Sequence, residues 1–154
     1  MNELRILINE LESNIPNQKL INPSVSKSSV GWHIEHSLLS VKLMIEGLKN
    51  SNPENYKWKF NISRIFIMTM NKIPRGKGIA PEISLPENEY NESTMIKNIS
   101  FTNDMIKEID KLEPCNFIEH PYFGHMNLKA TKKLLILHTV HHIEIIKDII
   151  RSDN

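Results

Sequence analysis

The chain has 154 residues, 40% hydrophobic and 24% charged, a length that suits one domain over 1–154 burying about two-thirds of its unfolded surface without disulfides. Its 19 basic and 18 acidic residues, distributed along the chain, give a net charge of +1, a balance that makes no electrostatic case for nucleic acid or an anionic membrane. The lone Cys115 excludes an intrachain disulfide, and with Glu3 early in an amphipathic start and no apolar run near the ~20 residues of a membrane span, a cytoplasmic protein is expected.

Residues 3–15 place Leu4, Leu7, Ile8, Leu11 and Ile15 on one helical stripe, with Asn2 as N-cap and Pro16 ending the element. The hydroxyl-rich stretch Pro23 to Val30 reads as a loop and a helix start, capped by Ser28 or Ser29. The second helix, about 30–49, carries two apolar stripes and confines its charge to Glu35, Lys42, Glu46 and Lys49, within roughly 60° of the wheel. So narrow a charged strip predicts a helix central to the fold.

Asn52-Pro53 breaks the chain, and a third helix fits 56–72, with Ile62, Ile65, Phe66, Thr69 and Ile73 at helical spacing. Pro74, Gly76, Gly78, Pro81 and Pro86 make 74–90 a long irregular excursion. A fourth helix spans 92–112, with Met95, Ile99, Ile106 and Ile109 on one face. A second irregular stretch runs through Pro114 and Pro121, and the last helix, about 128–151, has Asn127 as its cap. No strand is predicted. The fold class expected is all-α: an antiparallel four-helix bundle with an additional helix and two long loops.

His138 and His142, four residues apart on the last helix, project from one face and point to the interior with Leu134, Leu135 and Ile145. His141 lies some 60° or more away from them. Burying two imidazoles without partners is costly, and either a shared metal ion or hydrogen bonds to buried partners would remove the cost. On the second helix, wheel geometry favours His33 slightly over His36 as the interior group. Three imidazoles with an open position are what a catalytic divalent site requires, whereas a closed structural site usually recruits thiolate, and Cys115 sits in a loop. His120-Pro121-Tyr122-Phe123-Gly124-His125 reads as a packed turn. Lys72, Arg75 and Lys77 could meet an anionic substrate, though surface charge is their commoner role.

Taken together, Ser29-Val30-Gly31-Trp32-His33-Ile34-Glu35-His36, Pro74-Arg75-Gly76-Lys77-Gly78, His120-Pro121-Tyr122-Phe123-Gly124 and His138-Thr139-Val140-His141-His142 give the chain, from about 29 to 150, a resemblance to the DinB-like superfamily of four-helix-bundle metalloenzymes. The resemblance implies a metal site built from one histidine of the second helix and two of the last. By the Val-Gly-x-x-x-x-His register these are His36, His138 and His142, with His33 as substitute. It further implies zinc or nickel as the metal, a homodimer, and chemistry on water or a small thiol. Ile143-Glu144-Ile145 departs from the Arg-Gly-Gln-like continuation of many relatives.

Two functions are therefore expected in competition. One is a metal-dependent hydrolase or thiol transferase acting on a small-molecule substrate, in which no residue identifies itself as the general acid. The other is a non-enzymatic metal-binding or dimerising helical bundle.

Overall fold

Five helices and one short hairpin make up the regular structure of the described residues, which are 1–76, 80–86 and 91–151 of a computed structural model. Lys77 and Gly78 lie outside them.

Helix α1, Asn2–Ser13, buries Leu4, Ile8 and Leu11 of its stripe and half-buries Leu7. Asn2 is not the cap: the Met1 carbonyl already accepts from the Arg5 N–H, drawing Asn2 into the first turn. The chain then tightens into a 3-10 turn, Ile15–Asn17, around Pro16. Helix α2, Val30–Asn50, begins where Ser29 accepts from the Trp32 N–H at 3.2 Å. It is buried on most sides, as its narrow charged strip predicts. Glu35, placed on that strip, is nevertheless only 9% exposed, because helix α4 covers it and Asn98 donates to its Oε2 at 2.9 Å.

Helix α3 is Ile62–Met70, much shorter than 56–72. Asn52 caps a 3-10 turn at Pro53–Asn55, and Asn61, in extended backbone, restarts the helix by accepting from the Arg64 N–H at 2.8 Å. Asn71 ends it at φ 50°, a left-handed conformation that Asn tolerates better than most residues. The stripe of Ile62, Ile65 and Phe66 faces solvent, while Arg64 and Ile67 are buried. The Arg64 guanidinium is held by the main-chain carbonyls of Lys59, Phe123 and His125.

Helix α4, Glu92–Glu108, is capped by Asn91 and passes into a 3-10 turn at Ile109–Lys111. The segment expected to lack strands contains two: β1, Phe117–His120, pairs antiparallel with β2, Gly124–Asn127. Four residues each are too few for alternation to register against the surrounding prolines, and tertiary contacts hold the hairpin instead. Its inward pair, Ile118 and Met126, is buried, and Asn116 ties the approach to α2 through the Leu48 carbonyl at 3.0 Å. Ile118 sits so near α2 that a Cβ on Gly47 would stand 3.0 Å from its Cγ2.

Helix α5, Leu128–Arg151, starts where Asn127 accepts from the Ala130 N–H at 3.0 Å. Helices α1 and α2 each pack against both α4 and α5, enclosing a core that includes Leu4, Ile34, Ile45, Ile106, Leu135 and Ile146. The molecule is thus mostly helical with a small two-stranded sheet. The α2–α5 contact is the one that carries the histidines.

Candidate metal centre

The last helix turns His138 and His142 towards α2 one turn apart, their ring centroids 4.6 Å from each other. From α2, His36 enters the same space, 5.1 Å from the His138 ring and 4.8 Å from that of His142. One potential ligand nitrogen from each of the three lies within 4.8 Å of the others, so the group could hold a metal ion. His36 and His142 are buried; His138 is half-buried as a residue, but its Nδ1 is sealed from solvent without a hydrogen-bond partner.

Two of the rings have their orientation set from outside. The His36 Nδ1 lies 2.6 Å from the carbonyl oxygen of Ser84, within the 3-10 turn Glu82–Ser84. A carbonyl only accepts, so Nδ1 carries the proton and Nε2 of the neutral ring keeps its lone pair. Trp32 stacks on the opposite side, 4.8 Å between centroids and 10° from parallel. The His142 Nδ1 is 2.9 Å from the Nδ1 of His33, whose Nε2 is in turn 2.9 Å from the Ser26 hydroxyl. When His142 donates in that contact, its own Nε2 is free to coordinate, and His33 passes its proton to the Ser26 side.

Burial sets the charge of the cluster. It lowers His33 from the ordinary 6.5 to about 4 and lowers His36 against the opposing Ser84 bond. His138 and His142 are held well below their usual range by burial first; His36, His141 and His120 lower His138 further, and His138, His36, His33 and His141 lower His142. Neutral imidazole is the ligand form, so the environment prepares these rings to coordinate before any ion arrives.

The alternatives resolve by position. His33, preferred by wheel geometry, stands behind His142 and not in the trio; both histidines of α2 are buried, and only His36 faces both members of the α5 pair. His141 is half-buried and bonded to the Ile73 backbone, with burial lowering its pKa. His120 and His125 belong to the hairpin, where His120 stacks on Phe123 at 4.6 Å and His125 lies 4.6 Å from the Phe117 ring. Arg75 is paired with Asp148 at 2.8 Å, and Lys72 and Cys115 are exposed. Ser84 and Ser26 went unrecognised in the sequence. The first acts through a main-chain carbonyl, which every residue possesses, and the second is one serine in a serine-rich loop.

Neither a family model, nor a curated protein, nor a solved structure matches the chain.

Proposed function

We propose that the protein is a divalent-metal-dependent enzyme of the DinB-like type, an antiparallel four-helix bundle that holds zinc or nickel on His36, His138 and His142. The observation that carries this reading is the sealed, unpartnered Nδ1 of His138 beside two imidazoles whose orientation is fixed by other groups. Buried polar atoms nearly always find a partner, and one potential ligand nitrogen of each of the three rings lies within 4.8 Å of the others, a spacing that fits a cation. A bound divalent ion would supply Lewis acidity to an incoming water or small thiol. The chain's own contribution is to present neutral rings, fix the His36 tautomer through Ser84 and orient His142 through His33 and Ser26. With a single, exposed thiol at Cys115, the reading keeps the cytoplasm as the place of action.

A second reading, a non-enzymatic metal-binding or dimerising bundle, is favoured by one observation. Glu35, the acid adjacent in sequence to His36, is turned to Asn98 and offers no general acid or base to the trio. Elemental analysis of the purified protein, together with the triple substitution of His36, His138 and His142 by alanine, tests both. Stoichiometric zinc or nickel, lost in the triple variant, supports the site; turnover of small thiol or amide substrates by the loaded protein then separates enzyme from binder. Absence of metal with undiminished stability of the triple variant removes the basis of the enzyme and leaves only the dimerising bundle.

A further inference from the structure

Helix α3 is amphipathic with its apolar side outward. At about 100° per residue Ile62, Ile65, Phe66 and Met70 cover about 140° of its circumference, all exposed, whereas Arg64 and Ile67 point inward. The irregular stretch ahead of it adds Trp58 at 63% and Phe60 at 69% exposure. Six large apolar side chains thus stand in solvent within residues 58–70, a concentration that scattered surface hydrophobes do not explain.

The charge of this region is as uneven as its hydropathy. Between Asn55 and Pro81 the chain has no Asp or Glu but carries Lys57, Lys59, Arg64, Lys72, Arg75 and Lys77. Arg64 is engaged by hairpin carbonyls and Arg75 by Asp148, which leaves exposed Lys57, Lys59 and Lys72 bordering the apolar residues. The balanced total of the whole chain conceals this local excess.

We propose that α3 and the preceding segment form a peripheral docking face for an anionic lipid bilayer, in which the aromatic and aliphatic side chains enter the headgroup region and the three lysines meet lipid phosphates. Tryptophan and phenylalanine beside lysine are the side chains of the membrane interface, and an exposed apolar helix face bordered by cations is the geometry of monotopic attachment. No helix among the described residues is long and apolar enough to cross a membrane, so the attachment is to one leaflet. Ile62, Ile65 and Met70, half of the exposed apolar residues, offer nothing to stack on bases, which disfavours nucleic acid. A second copy placed on the same face by a two-fold axis would set the lysines against their own counterparts with no carboxylate in the segment to pair them.

Co-sedimentation of the full chain with phosphatidylcholine vesicles, with and without phosphatidylserine, tests this. Binding is expected only when phosphatidylserine is present, to weaken at high salt, and to blue-shift the Trp58 fluorescence. Lys57→Glu/Lys59→Glu/Lys72→Glu should weaken partitioning by roughly a hundredfold or more, since each lysine near such a surface is worth about fivefold. Phe60→Ser/Phe66→Ser should weaken it at unchanged lysine charge; all five positions are exposed, and circular dichroism verifies that both variants fold. The proposal is overturned by absence of binding to phosphatidylserine vesicles, by equal binding of wild type and both variants, or by sedimentation showing a dimer that Phe60→Ser/Phe66→Ser dissociates.

Discussion

His138 has a sealed, unpartnered Nδ1, as His125 does, but His138 alone of the two stands beside two further imidazoles, both oriented by other groups. His138→Ala should therefore abolish stoichiometric metal in elemental analysis, while the apo form loses little stability because an unpartnered buried nitrogen leaves with the ring. His33→Phe should retain metal but weaken it by about 10–100-fold in a competitive chelator titration, the usual cost of losing an outer-shell partner, and Ser26→Ala should do so by less. Acid sensitivity follows from His33 and His120, both lowered by burial to about 4. Unfolded, they take up protons near 6.5 that the native rings refuse, so stability is fully present above about 6.5 and falls as pH drops towards 4. For His33, 4% exposed, the loss by pH 4 is on the order of 3 kcal/mol, measurable as a falling urea midpoint of the apo protein.

Among the elements, those with long periodic patterns or a capping side chain were legible in the sequence, and those made by tertiary contact were not. Ser29, Asn127 and the stripes of α2 and α5 mark their helices directly. Periodicity alone continued α3 back to residue 56, but Asn52 and Asn61 cut the segment into a turn, an irregular stretch and a short helix. Spacing could not reveal which way that helix faces, because Arg64 is drawn inward by hairpin carbonyls invisible in the sequence. Of the candidate site, the α5 pair follows from spacing, His36 from the register of the resemblance against the wheel and His33 only as an alternative ligand, while Ser26 and Ser84 leave no mark in the sequence. The hairpin is held by contact as much as by pairing, which gives a test at Gly47. Alanine there would favour the helix by about 1 kcal/mol in isolation, yet its Cβ meets Ile118 Cγ2 at 3.0 Å. Gly47→Ala should destabilise by about 1 kcal/mol net, and a double-mutant cycle with Ile118→Ala should show coupling of at least ~0.5 kcal/mol.

For the whole molecule, the α2–α5 seam joins the core to the histidine cluster, so an ion bound there would be linked to folding through the same helices. With the ion at about 100 times its dissociation constant the native state gains about 2.7 kcal/mol, which for a chain of this size raises Tm by roughly 5–10 °C. Scanning calorimetry with zinc and then with chelator should show this rise and its reversal, and the triple alanine variant should show neither. Leu135→Ala, deep in the core, should lower apo stability by about 2–5 kcal/mol while leaving the zinc-induced increment in place.

The contact between His36 and Ser84 has an evolutionary corollary. Because the acceptor is an amide oxygen, a substitution at position 84 does not by itself delete it. Selection on that imidazole's proton would fall instead on whatever keeps the tight turn closed, such as the Ser84 hydroxyl bonded to the Pro81 carbonyl. Drift there would show as a ring set free to rotate, long before any ligand histidine itself was replaced.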